Sequence, residues 1–94
     1  MVSSIVLAVD DTEVTQAILD AVAEVKGTRL DNVDDDARLR DLDLDSLDLI
    51  EIGMIVEQRL GVIVPTERFD GIEAFRHVVD VFVRATAEQG GAAQ

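Results

Sequence analysis

Apolar residues return every three or four positions over several stretches of this 94-residue chain, and that spacing predicts helices. In the first stretch, about 12–26, Val14, Ile18, Ala21, Val22 and Val25 fall on one face. Asp10, Asp11 and Glu13 place negative charge at its start, and Gly27 stands where a C-terminal cap belongs. A second helix is expected over about 46–60, ended by Gly61. Val62-Ile63-Val64-Pro65 then reads as a short extended link, because Pro65 disfavours helix at the residue before it. Thr66 can cap a short third helix over 67–70, and a last helix over about 73–87 turns Phe75, Val78, Val79 and Phe82 inward. Between the first two helices lies a long connection, about 28–45. Leu30, Val33, Leu39, Leu42 and Leu44 are spaced along it to reach a core, so it is expected to be ordered.

The second helix departs from the single apolar stripe of an ordinary surface helix. At about 100° per residue, Leu49, Ile52, Gly53, Val56 and Leu60 share one side, which should face the core. Leu47, Ile50 and Met54 gather roughly 140° away, with Glu51 and Gln58 beside them and Glu57 on the other flank. This second stripe either packs beneath the long connection or forms a docking surface ringed by acids, and the two roles are compatible. Gly53 is out of place in a helix interior, where it costs roughly 1 kcal/mol relative to alanine. Its position in the inner stripe implies close packing or room left in the core.

Charge narrows the partners. Twenty acidic residues against eight basic ones give a net charge of −12. That excess opposes nucleic acid and anionic membrane surfaces and favours partners with basic patches. With no cysteine there is no disulfide and no thiol of the chain's own, and one histidine makes zinc ligation unpromising. The apolar run at 2–9 is short and follows no basic segment, so neither a signal peptide nor a membrane span is expected. A cytoplasmic monomer of one small domain is the expectation.

The candidate chemistry sits at the start of the second helix, in Leu42-Asp43-Leu44-Asp45-Ser46-Leu47-Asp48. Ser46 is a good helix N-cap, and so is Asp45. A nucleophilic enzyme would need a base and an orienting group, yet His77, the single histidine, belongs to the last helix and reads as exposed. Asp41, Asp43 and Asp45 alternate as in a calcium loop, but the glycine and glutamate such a loop requires are replaced by Ser46 and Ile52. No metal site is expected. A phosphate ester on Ser46 would lie near free backbone N–H groups and the positive end of the helix dipole. A hydroxyl there can be a helix cap or a point of covalent attachment, and the two are compatible.

Asp45-Ser46-Leu47-Asp48 resembles the phosphopantetheine attachment motif of the acyl carrier protein family. The likeness includes Ala37-x-Leu39-x-x-Leu42 upstream; Glu51, Met54 and Glu57 downstream; the Val62–Pro65 link; and Ile72 with Val78 and Phe82 in the last segment. It covers about 12–87. It implies an all-α four-helix bundle with a short third helix and a long loop between helices one and two. It divides the chain into an N-terminal extension (1–11), a carrier domain (12–88) and a flexible tail (89–94). It further implies that a phosphopantetheinyl transferase moves 4′-phosphopantetheine from coenzyme A to Ser46, so that the arm supplies the missing thiol and carries acyl groups as thioesters. By the same resemblance Asp45 and Leu47 belong to the transferase contact. Asp48, Ile50, Glu51, Met54 and Glu57 belong to the surface met by ketosynthase, acyltransferase and other acyl-processing enzymes with basic docking patches. Ile50, Ile52, Val56, Val64, Ile72, Val78 and Phe82 are candidates for the wall of an acyl-sheltering cavity, or are plain core. The protein is not expected to be an enzyme itself.

Departures from the family pattern bear on the pathway. Gln58 and Arg59 stand where many members have acids, Thr66 and Arg68 replace acids at the third helix, and Glu73 stands for a common capping threonine. Phe69, Phe75 and Phe82 are bulky for their positions and would shrink a cavity. These features favour a carrier of polyketide or related specialised biosynthesis, expected to be free-standing. Primary fatty acid synthesis and an aminoacyl or peptidyl carrier are the alternatives, although Leu44-Asp45 lacks the glycines common before a peptidyl carrier's serine. A remoter alternative is an acidic helical binding module without modification.

Overall fold

The computed structural model describes residues 11–30, 33–34 and 36–89. Among the described residues three α-helices form the bundle: α1 (Asp11–Lys26), α2 (Ser46–Leu60) and α3 (Phe75–Gln89). Two single-turn 3-10 helices, Leu39–Leu42 and Thr66–Phe69, lie in the connections. Of the expected N-terminal extension only Asp11 is described, as the first residue of α1; positions 1–10 and most of the tail lie outside the described residues.

Helix α1 packs against both α2 and α3. Its buried stripe is Val14, Ala17, Ile18, Ala21 and Val22, so only the half-buried Val25 of the expected set leaves the core. α2 contributes all five residues of its predicted inner stripe, and α3 contributes Phe75, Val78, Val79, Phe82, Ala85 and Thr86. Asp20 of α1 joins two separate segments to this frame by accepting hydrogen bonds from Arg29 and Arg59. The Arg29 guanidinium first, and the Arg59 guanidinium next, hold the Asp20 carboxyl below its ordinary value.

The connection after α1 is ordered by burial and by borrowed backbone bonds. Leu39 and Leu44 enter the core, while Leu30, Val33 and Leu42 pack half-buried against it. Leu39 N–H donates to Glu73 C=O at 2.7 Å, and Phe75 N–H donates to Ala37 C=O at 2.8 Å, flanking an isolated antiparallel bridge between Arg38 and Ala74. This pairing holds Glu73 and Ala74 out of helical geometry, which is why α3 begins at Phe75 rather than near 73. Its far end is fixed by Gln89, whose side-chain amide accepts from Ile63 N–H at 2.9 Å and donates to Ile63 C=O at 2.7 Å.

The short third helix is a 3-10 turn without a side-chain cap, and Thr66 lies inside it rather than before it. Pro65 and Asp70 are both extended, and Gly71 follows with φ +78°, so the turn cannot propagate past four residues.

Candidate functional site

The start of α2 is built by a tight sequence of turns. After the 3-10 helix at Leu39–Leu42, Asp43 takes the left-handed conformation (φ 63°, ψ 36°), and Leu44 N–H returns to Leu39 C=O at 2.9 Å. Leu44 is thereby buried, and Asp45 arrives extended at the helix cap. Asp48 N–H donates to Asp45 Oδ1 at 2.9 Å, and Asp45 N–H donates to Asp48 Oδ2 at 3.2 Å, a reciprocal capping box. Lys26 at the end of α1 reaches Asp48 Oδ2 at 3.1 Å and Asp43 at 3.7 Å. The Asp45 N–H first, and the Lys26 ammonium next, lower the Asp48 pKa; its hydrogen bond to Asp48 raises that of Lys26.

This geometry corrects the expectation that Ser46 caps the helix. Asp45 is the cap, because the acid three residues on can close the reciprocal bond only with that position. Ser46 is the first helical residue, it is exposed, and its hydroxyl has no hydrogen-bond partner among the described residues. A serine spared from capping keeps its oxygen available for reaction.

The second stripe of α2 is exposed. Leu47 is 72% accessible, Met54 59% and Ile50 39%, with Glu51 exposed among them. Asp48 and Glu57 differ from their neighbours. Both are half-buried; Asp48 is engaged in the capping box and with Lys26, and Glu57 Oε2 accepts the Val64 N–H at 2.8 Å, steadying the link after α2. Of the five acidic and apolar residues expected at the partner surface, Ile50, Glu51 and Met54 have side chains with no hydrogen bond or ion pair among the described residues, whereas the carboxylates of Asp48 and Glu57 serve the fold.

A cleft of about 750 Å³ opens beside Ser46. Leu39, Arg40 and Leu44 come from the connection, Ser46, Leu49 and Ile50 from α2, and Phe69, Asp70 and Ile72 from the segment before α3. Of the proposed cavity residues, Ile50 and Ile72 line this cleft. Ile52, Val56, Val64, Val78 and Phe82 do not; they are packed in the bundle core. Phe69 borders both spaces. Its ring lies 3.5 Å from where a Cβ on Gly53 would stand, and its centroid is 5.7 Å from that of Phe82. The missing side chain at Gly53 leaves a recess that the Phe69 ring borders at contact distance.

The cleft's charged lining was not singled out from the sequence. Asp70 is distant along the chain from Arg38 and Arg40, and the three follow no helical periodicity; the one available signal was arginine within an otherwise acidic connection. His77 is exposed on α3, and no cluster of side chains suited to a metal ion occurs among the described residues. No helix among them is long and apolar enough to cross a membrane.

In this helical bundle an exposed serine at a helix start, on the rim of a cleft, leaves room for a tethered group. The model of the phosphopantetheine attachment site matches residues 16–81. The acyl carrier protein of Rubrobacter xylanophilus is 35% identical over 75 residues, covering 79% of this chain and 93% of that one. That of Saccharopolyspora erythraea is 34% identical over 73 residues, 77% of each chain. The solution structure of the 3,7-dioxo-octyl actinorhodin acyl carrier protein from Streptomyces coelicolor superposes with a TM-score of 0.66 at 29% identity, over 85% of this chain and 93% of that one. The chain belongs to the acyl carrier protein family. Its cofactor is covalent 4′-phosphopantetheine, and its function is to carry acyl groups on that arm. An exposed hydroxyl without a partner among the described residues, bordering a cleft of mixed polarity, fits such a group.

Proposed function

We propose that this carrier holds its arm on Ser46 and serves polyketide or related specialised biosynthesis. The observation that carries the attachment site is the Ser46 hydroxyl, exposed and without a partner among the described residues because Asp45 does the capping. The bound group supplies the thiol that this cysteine-free chain lacks. Asp45 and Asp48 hold the turn that presents Ser46, and Leu47, largely exposed beside it, offers an apolar contact to the transferase. Ile50, Glu51 and Met54 form the face read by ketosynthase, acyltransferase and related enzymes through basic patches. The carrier domain is assigned to 12–88, working as a cytoplasmic monomer whose partners perform the chemistry. Similarity to the actinorhodin carrier and the Phe69-lined cleft support the specialised pathway over primary fatty acid synthesis.

Incubation with coenzyme A, magnesium and a broad-specificity phosphopantetheinyl transferase, followed by intact mass, tests the site. Wild type gains one phosphopantetheine and Ser46→Ala gains none. An unmodified wild type beside an active control carrier would overturn the assignment. For the pathway, faster turnover of the loaded protein by a fatty acid ketosynthase than by a polyketide ketosynthase would reverse the preference stated here.

A further inference from the structure

We propose that Arg40 makes the cleft beside Ser46 selective for acyl chains bearing neutral carbonyl oxygens, in preference to plain alkyl chains. The proposal rests on attachment at Ser46 and deepens it by naming the cargo class.

Leu44, Leu49 and Phe69 give the cleft apolar surface. Two cations also line it, and they differ in state. Arg38 is paired with Glu73 at 3.1 Å. The Arg40 side chain is exposed and has no ion pair or hydrogen bond among the described residues. A guanidinium offers a planar fork of donors that can bind two carbonyl oxygens side by side, the arrangement in a 3-oxoacyl thioester. An alkyl chain in the same place would shield that fork from water and return no acceptor. An anionic cargo is disfavoured, because three carboxylates, Asp45, Asp70 and Glu73, share the lining with only the two arginines. The alternative route for an alkyl chain, inward among the helices, meets an aromatic ring. Phe69 lines the cleft and borders Gly53, with its ring 5.7 Å from that of Phe82, so a chain turning inward there has to pass Phe69.

Wild type, Arg40→Gln and Arg40→Lys are loaded on Ser46 with octanoyl- or 3-oxo-octanoyl-phosphopantetheine, checked by intact mass, and treated with hydroxylamine. Each cleavage rate is divided by that of the same thioester on free pantetheine. Wild type should protect the 3-oxo chain about tenfold more than the octanoyl chain, the effect of one charge-assisted hydrogen bond at a partly exposed site. Arg40→Gln should erase the difference, with Arg40→Lys intermediate. The phosphorus NMR signal of the unacylated arm should be the same in all three. Equal protection of both chains in wild type would overturn the proposal. So would an Arg40→Gln effect confined to the phosphorus signal, which would assign the guanidinium to the phosphodiester instead. A second measurement does not depend on attachment: the unmodified protein is titrated with the two free acyl pantetheines, and amide shifts at Leu44, Leu49 and Phe69 are followed. Stronger binding of the 3-oxo compound, lost in Arg40→Gln, supports the cargo assignment even if mass shows no arm on Ser46. No preference overturns it whatever the loading result.

Discussion

The two sides of α2 have similar apolar content and opposite fates. Leu49, Ile52, Gly53, Val56 and Leu60 are buried, whereas Leu47, Ile50 and Met54 stay exposed. Its polar groups divide in the same way. Asp45, Asp48 and Glu57 bond to the chain itself, while the side chains of Ser46 and Glu51 bond to no described residue. One helix thus carries a structural side and a side kept available. Hydrophobicity alone does not distinguish them; what each side chain touches does.

The sharpest way to break this comparison is truncation on each side. Ile52→Ala should cost ~2–5 kcal/mol, as for a buried aliphatic side chain. Met54→Ala should stay within about 0.5 kcal/mol. Comparable losses in denaturant titrations would show that the outer stripe is part of the core.

A smaller effect separates the neighbours at the helix start. Asp45→Ala should cost about 1 kcal/mol through the lost cap. Ser46→Ala should stay within about 0.5 kcal/mol, since no bond is removed. Asp48 adds a pH signature. Its folded pKa is depressed, so its stabilisation is present above about pH 4 and is lost as pH falls through the folded value. Asp48→Asn should be less stable at neutral pH and should flatten that acid limb. An unchanged slope in urea titrations between neutral and acidic buffers would deny Asp48 the role.

Gly53→Ala tests the recess. The new Cβ would make ordinary contact with the Phe69 ring at 3.5 Å, and removing a helical glycine should stabilise the protein by up to about 1 kcal/mol. A lower melting temperature would mean that Phe69 has no freedom to adjust. The least effect on stability is expected from Glu51→Lys, within about 0.5 kcal/mol, combined with loss of turnover by partner enzymes. Full turnover at low salt would remove Glu51 from the docking face.

Much of this architecture was legible along the chain. The spacing of Val14, Ile18, Ala21 and Val22 marked α1, Gly61 marked the end of α2, and both stripes of α2 were separable by angle. These features depend on residues within a turn or two of one another, which periodicity records. The short third helix was legible too, one residue from its observed start; that it is a single 3-10 turn was not, because the limits set by Pro65, Asp70 and Gly71 act on backbone conformation rather than on apolar spacing.

The sequence by itself determined the helical class, the serine presented at a helix start, and the existence of a spare apolar face. The Asp45 cap is a local bond to a residue three positions on, which the sequence carried; only the tertiary structure brought Lys26 from α1 to support Asp48. It alone placed the Phe69 ring beside Gly53 and Phe82, and set Arg40 at the cleft with no side-chain partner among the described residues. The reason is physical. Helical spacing is a property of neighbouring residues, whereas a hydrogen bond or a packed ring is shared between side chains brought together from distant parts of the chain.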